Sequence, residues 1–225
     1  MKRLLMMCAA VSLCACTPPA KMLANSASAT AEPAPSIAGI PAGDYVTDPA
    51  HTSLTFLVDH MGFSHYTARF ATVEARLKLD PAHPDQASLN ATIDPSSLAL
   101  NTPPKGFHAT LMSKEFFDVP SFPEIRFAST NLEVTGANTA KVTGNLTLHG
   151  VSKPVSMAVV FNGGYAGMAG YDPHARIGFS AKGQLKRSDF GMGYGEPPPG
   201  STMGVGDAVD FEIETEMSGP PLKTK

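Results

Sequence analysis

Apolar and polar residues alternate with a period of two in segment after segment of this chain. The clearest run, Val209–Met217, places its apolar residues on one face and four acidic residues on the other. Successive side chains of a β-strand point to opposite faces, so each run predicts a strand with one buried and one solvated face. Sheets of this kind are typically antiparallel, which argues against a parallel architecture.

The same alternation predicts about eight to ten strands. Its other runs are Leu54–Val58, Ala71–Leu79, Leu89–Ile93, Ile125–Ser129, Val142–Leu148, Val155–Phe161 and Ile177–Leu185. The first two runs flank Met61-Gly62, where a residue without a Cβ atom allows a turn, so they are predicted to form a hairpin. Asn162-Gly163-Gly164 is a second strong turn signal.

One segment, Pro103–Phe117, departs from the alternation. Asn101 and Thr102 precede it as candidate helix caps, and its apolar residues recur at helical spacing, so it predicts one short inserted helix. A long antiparallel sheet must hide its edges, and closure into a barrel does so completely. We therefore predict an all-β antiparallel barrel, which can hold one small ligand. The alternative, a two-sheet sandwich, fills that space with side chains.

The first 16 residues have the features of an export signal. Lys2 and Arg3 are followed by a short apolar run, and Leu13–Cys16 resembles the lipobox of bacterial lipoproteins, whose cysteine is acylated. We expect residues 1–16 to be a signal peptide with Cys16 as the lipidation site. The alternative is an ordinary cleaved signal with an incidental cysteine. In both cases the rest of the chain is predicted to lie outside the cytoplasm.

Residues 17–41 are rich in Ala, Ser, Thr and Pro and poor in large apolar groups, so they are predicted to form a disordered tether. The folded domain is expected over residues 42–217, with a C-terminal tail at 218–225. The predicted location is the periplasm, with the domain attached to a membrane by its lipid anchor only. A soluble periplasmic or secreted protein is the alternative.

Cysteine usage and charge narrow the function. All three cysteines, Cys8, Cys14 and Cys16, lie in the signal segment, so the folded domain has no thiol for catalysis, metal binding or a disulfide. The net charge of −3 argues against nucleic acid as a partner. No cofactor is predicted.

Four segments match a known family in order: Asp48–Phe70, Ser113–Thr130, Gly144–Val155 and Arg187–Met192. On these segments the chain resembles the YceI-like family of periplasmic lipid-binding proteins. The resemblance implies a lipocalin-like, extended antiparallel barrel whose long apolar pocket holds a polyisoprenoid or another long-chain amphiphile. The chain departs from the family pattern in two glycine-rich loops, 163–176 and 191–206, which we expect at the barrel mouth.

Residues on the inward faces are predicted to line this pocket. The predicted ligand-binding residues are Leu54, Phe56, Val58, Phe70, Ala75, Phe116, Phe127, Phe179, Ala181 and Phe211. Other inward positions carry small residues: Ala71, Ala91, Gly144 and Gly183. The large inward residues cannot fill the lumen alone, and unfilled apolar volume favours an occupant. The phenylalanines, Phe63 among them, are otherwise assigned to the core.

Five histidines raise the question of a metal site: His51, His60, His65, His108 and His149. Their spacing matches no metal-binding motif, so no metal site is predicted and they are interpreted as structural. Arg187 and Asp189 are interpreted as a turn with a local ion pair.

The sequence has no nucleophile elbow and no phosphate-binding loop, so we predict a binding or carrier protein for a long-chain lipid and not an enzyme. The alternative is an enzyme or redox accessory protein that acts on an isoprenoid or quinone-like molecule. Self-association into a homodimer is left open.

Overall fold

The computed structural model describes residues 34–222. Over this range it contains one α-helix, α1 (Phe107–Leu111), and ten strands: β1 (Gly43–His60), β2 (Ser64–Phe70), β3 (Val73–Leu79), β4 (Ser88–Ile93), β5 (Leu98–Ala99), β6 (Ile125–Val134), β7 (Thr139–Leu148), β8 (Val151–Tyr165), β9 (His174–Lys186) and β10 (Val205–Pro221). Short 3₁₀ turns occupy Pro84–Gln86, Pro95–Ser97 and Arg187–Phe190. The predicted signal peptide, Cys16 and most of the predicted tether lie outside the described residues.

Eight strands form a closed antiparallel barrel in the order β1, β3, β4, β6, β7, β8, β9 and β10, and β10 pairs with β1 to complete the ring. Closure leaves these strands without a free edge and buries one face of each, which is what the alternation requires. The predicted barrel is confirmed, and the sandwich is excluded. No helix in the described range is long and apolar enough to cross a membrane.

Strand β1 organises the barrel wall. One edge pairs with β10, while the other pairs with β3 near its start and with β2 from Leu54 to His60. The β1–β2 hairpin is as predicted, with Met61 and Gly62 at its turn in the left-handed region. We call the end where β1 begins the lower end and the end where it finishes the upper end.

The predicted second arm of the hairpin is divided in two. β2 ends at Phe70 and β3 starts at Val73, since the chain between them is tied to the neighbouring 3₁₀ turn. There the amide of Ala71 donates to the carbonyl oxygen of Ser97 at 3.1 Å, and the amide of Thr72 donates to Ser97 Oγ at 3.0 Å. β2 can therefore continue outside the ring and pair with β5.

The folded domain extends beyond the predicted range, residues 42–217, at both ends. Ile40 is buried, and Tyr45 Oη donates to the carbonyl oxygen of Pro41 at 2.6 Å, so part of the predicted tether belongs to the fold. Ile37 also packs against the buried residues at the lower end of the barrel, so Ile37 and Ile40 together anchor this segment. At the other terminus β10 continues to Pro221, where it still pairs with His174.

Two local predictions also need correction. The helix is shorter than predicted and starts after Gly106, whose left-handed conformation, and not Asn101 or Thr102, precedes its first turn. Asn162-Gly163-Gly164 does not end β8. It forms an irregularity in the β8–β9 ladder, since a register shift falls between Phe161 and Gly163. Glycine meets the conformational needs of a bulge as well as those of a turn.

The buried residues form two clusters. The lower cluster consists of Ile40, Tyr45, Leu77, Leu79, Phe161, Ala175, Ile177 and Met217. The upper cluster is larger and includes Phe70, Phe127, Leu146, Met157 and Phe190, with many half-buried apolar residues packed against it. Residues of both clusters line the free volume of the interior.

Candidate functional site

The barrel encloses an elongated cavity of about 720 Å³. At the upper end it is lined by Phe107 from α1, by Phe116 from the segment after α1 and by Tyr194 from the loop after β9. At the lower end it reaches Pro84 and Asn138, which lie in the β3–β4 and β6–β7 connections. The cavity therefore extends along most of the barrel, between two sets of turns.

The predicted residues of the first three strands line this cavity. Leu54, Phe56 and Val58 lie on the inward face of β1, Phe70 ends β2, and Ala75 is at the centre of β3. Phe70 contacts the Phe56 ring at a centroid distance of 5.6 Å, so β2 adds an aromatic wall beside β1.

The other five predicted residues line the same cavity. Phe116 follows α1, Phe127 lies on β6, Phe179 and Ala181 lie on β9, and Phe211 lies on β10. All ten positions are therefore brought together. Their contact with a ligand stays a prediction.

Incomplete burial of inward-facing side chains shows that the lumen is hollow. Phe56, Val159 and Ile213 point into the barrel and pack on the upper cluster, yet they are only half-buried. In a filled barrel such residues would be fully enclosed, because protein interiors are close-packed. Their exposed surface faces the cavity they line.

Not every small inward residue contributes to this volume. A Cβ atom on Gly144 would overlap the Phe127 ring, and one on Gly183 would overlap the Phe211 ring. The two glycines therefore hold aromatic rings against the wall. Ala71 is exposed and lies outside the strands, so the free volume rests on other positions, including Ala75, Ala91 and Ala181.

Arg187 holds the upper rim together. Its Nε donates to the carbonyl oxygen of Gly206 at 2.8 Å and its Nη2 to that of Val205 at 2.7 Å. Its Nη1 donates to the carbonyl oxygens of Met192 at 2.6 Å and Tyr194 at 2.8 Å. The predicted local pair with Asp189 is wrong: the guanidinium points inward and binds loop backbone.

Apolar side chains are exposed at the upper end. Phe63, assigned to the core from sequence, is 77% exposed, because it sits in the β1–β2 turn and not on an inward face. Tyr194 and Met203 are also exposed, and Tyr194 packs edge-on against Phe116. The amide of Met61 donates to the carbonyl oxygen of Gly204 at 2.8 Å, which joins the turn to the loop.

The two glycine-rich loops do not share one mouth. Loop 191–206 is at the upper end and contributes Met192, Tyr194 and Gly195 to the cavity wall. Loop 163–176 joins β8 to β9 at the lower end, and its Ala175 belongs to the lower cluster. Antiparallel strands place successive connections at opposite ends, so loops that precede and follow β9 cannot lie together.

Loop 163–176 instead takes part in a charged network. Arg176 donates from Nη1 to Asp48 Oδ2 at 2.6 Å and from Nε to Asp172 Oδ2 at 2.8 Å. Hydrogen bonding, first from Arg176 and then from His51, lowers the pKa of Asp48 to about 2. The network joins the bulge in β1 to β9 and has a structural role.

The histidines are dispersed. His51 bonds Asp48 at 3.1 Å, His65 faces Asp59 across the β1–β2 ladder, and His149 bonds the carbonyl oxygen of Phe190 at 3.1 Å. His108 lies in α1, and His60 lines the cavity. Within residues 34–222 no three His, Cys, Asp or Glu side chains are grouped to hold a metal ion.

Sequence reasoning missed the polar part of the cavity wall. His60, Tyr66, Arg187 and Tyr194 all line its upper part. Arg187 lies in a segment on which the family resemblance rests, but the sequence predicts a local ion pair with Asp189 and not these contacts. An arginine followed closely by a glycine-rich loop with many free carbonyl groups was the available signal.

Comparison with known proteins matches residues 45–217 to the model of the YceI-like domain. A UPF0312 protein of Pseudomonas savastanoi pv. phaseolicola is 36% identical over 179 residues, which cover 78% of this chain and 86% of the relative.

Two solved structures have the same fold. BcnA of Burkholderia cenocepacia is 27% identical with a TM-score of 0.62, and the match covers 76% of this chain and 98% of BcnA. A polyisoprenoid binding domain from Saccharophagus degradans has a TM-score of 0.57 at 14% identity, with 80% and 100% coverage. The second likeness shows the fold alone.

Proposed function

Since this chain belongs to the YceI-like domain family, we propose that it is a binding or carrier protein for a long-chain amphiphile such as a polyisoprenoid. The single observation that carries the proposal is the long apolar cavity of about 720 Å³. A neighbour of the same fold is described as a polyisoprenoid binding domain, which supports an isoprenoid chain as the ligand class.

The shape of the cavity favours a chain over a compact ligand. It runs between turns at both ends of the barrel, and its walls are inward-facing apolar residues on all eight strands. Burying a methylene group there stabilises the complex by about 0.8 kcal/mol, so a long chain gains affinity along its length. Water held in the same space would find few hydrogen-bonding partners.

Extraction of the purified protein with organic solvent, followed by mass spectrometry, tests this proposal. We expect about one long-chain molecule per protein, recovered unchanged after incubation, with the apo protein able to rebind it. Ala75→Leu should reduce the recovered amount, because it narrows the lumen. Arg76→Gln, on the outward face of the same strand, is the matched control. Conversion of the bound molecule would instead favour an enzyme.

We also propose that the protein is a periplasmic lipoprotein attached through Cys16. The support is the cysteine at the lipobox position after a basic and apolar segment. Cys16→Ser should move the protein from the membrane fraction to the soluble periplasmic fraction. If both forms fractionate as soluble proteins, the anchor is wrong while the cavity proposal is unaffected.

A further inference from the structure

Arg187 is the one charged side chain buried within residues 34–222, with 8% of its surface exposed. It also lines the upper part of the cavity, whose other walls are almost entirely apolar. A buried charge is costly unless it is paired or well hydrogen-bonded. Arg187 therefore requires an explanation beyond the filling of space.

The contacts of Arg187 with loop backbone use only part of its capacity to donate hydrogen bonds. A guanidinium has five N–H groups and no acceptor, and four of them bind loop carbonyl oxygens. None of the ion pairs formed by the described residues includes Arg187. Glu196 and Asp207 act on it only through space, and burial outweighs them, so the pKa of Arg187 is lowered.

Other polar side chains accompany Arg187 at the upper end of the cavity. His60, Tyr66 and Tyr194 line the same end of the cavity. No carboxylate is among the residues that line the cavity in the described part of the chain. A ligand with a positive head group would therefore meet an unpaired cation at this end, and one with acceptor oxygens would meet a donor.

We propose that Arg187 is the head-group site of the cavity, and that it selects amphiphiles whose polar end presents acceptor oxygens, such as a carboxylate, over those with a cationic end. This deepens the proposed function and rests on it. The loop carbonyls hold the guanidinium in place, the remaining N–H group binds the ligand oxygen, and the apolar chain extends toward the lower turns.

The test uses two amphiphiles with the same chain, palmitate and hexadecylamine, added to delipidated protein at neutral pH below their aggregation concentrations. Hydrogen bonds to charged groups correspond to a preference of roughly tenfold or more, so palmitate should bind at least that much more tightly. The net charge of −3 would favour the amine, so this order cannot come from nonspecific attraction. Equal affinity, or tighter binding of the amine, overturns the inference.

A second measurement needs no variant that disturbs the rim. The Nε–H resonance of Arg187 should shift on addition of palmitate and stay in place with hexadecylamine, while that of Arg176 at the lower end is unaffected by either. Arg187→Gln should abolish the preference if it folds, and Arg76→Gln should retain it. If neither amphiphile binds, the proposed function fails. If both bind without moving the Arg187 signal, only the head-group site fails.

Discussion

Ile177 and Ile213 are inward-facing isoleucines on neighbouring strands, yet Ile177 is 1% exposed and Ile213 is half-buried. Ile177 belongs to the lower cluster, where the Tyr45 ring packs against the backbone of Gly219 and the N-terminal segment covers the end. Ile213 lies in the upper part, where its side chain faces the cavity. Similar residues on one sheet thus fill a packed region around Tyr45 and Ile177 and border the free volume of the cavity.

The comparison teaches that the packed region has the structural role and the hollow region the binding role. The lower cluster keeps the ring closed where β1, β9 and β10 meet. The upper region has the larger set of buried residues, but its inward side chains leave the cavity between them, and the Arg187 contacts hold its loops. A lumen can stay empty only if other parts of the molecule supply the stability.

The largest expected effect is that of Ile177→Ala. Removing a fully buried isoleucine side chain should lower the free energy of unfolding by about 2–5 kcal/mol. Ile213→Ala, the matched control, should cost clearly less because its side chain already faces free volume. Denaturant unfolding of delipidated protein measures both. Equal losses would show that the two regions are equally filled.

Tyr45 should make the lower cluster sensitive to alkali. Burial raises its pKa to about 12, above the usual 10, so the folded state holds this proton more tightly than the unfolded state. Its contribution is complete below pH 10 and is lost as the pH rises to 12, by about 2 kcal/mol in total. Tyr45→Phe should remove that dependence, and Tyr171→Phe, at an exposed position, should leave it unchanged. A parallel alkaline decline of wild type and Tyr45→Phe would count against the prediction.

Enlarging two alanines should separate a fully packed position from one that lines the cavity. Ala175 is fully buried in the lower cluster, and Ala175→Leu should destabilise the protein by about 1–3 kcal/mol through overpacking. Ala75→Leu points into the cavity and should change stability little while reducing ligand binding. Thermal unfolding of both apo variants, together with ligand recovery, checks this pair. A destabilised Ala75→Leu that retains its ligand would place the cavity elsewhere.

The smallest effect is expected at Asp48. Its pKa is lowered by the hydrogen bond from Arg176, so its stabilisation is present above about pH 4 and is lost as the pH falls toward 2. The pair is partly solvated, so Asp48→Asn should cost at most about 1 kcal/mol at neutral pH. Acid titration of stability should show a weaker slope in the variant. Glu124→Gln, in an exposed pair with Arg126, serves as the reference.

Much of the barrel could be predicted from period-two alternation, because the sequence of each strand by itself shows which of its residues face inward. Most of the ten proposed cavity residues lie on predicted strands, and parity alone predicts that Phe127, Phe179 and Phe211 face inward, whereas Phe116 lies outside the alternating runs. Gly144 and Gly183 show the limit of that reasoning. Whether a small inward residue leaves a void depends on the side chain opposite it. The register between the two strands decides which side chain that is, and neither strand's sequence gives the register.

The two loops and Arg187 show the same limit. The correct placement of loops 163–176 and 191–206 depends on the direction of each strand. That direction can be predicted only when every strand before the loop is identified. Asp189 lies two residues from Arg187, so the sequence favours a local charge pair over distant carbonyl groups. Its true acceptors extend to Gly206, and only the folded loop brings them together.

The ring is closed by the first and last strands of the domain, and Thr52 and Thr215, which are 163 positions apart in the sequence, share a hydrogen bond at 2.8 Å. During synthesis β1 emerges early, yet its partner β10 is the last strand made. One edge of β1 must therefore stay unpaired until nearly the whole domain is available, and such long-range pairing is slow. Between these events an apolar strand edge is open to other chains, so this barrel depends on protection from aggregation until its final strand arrives.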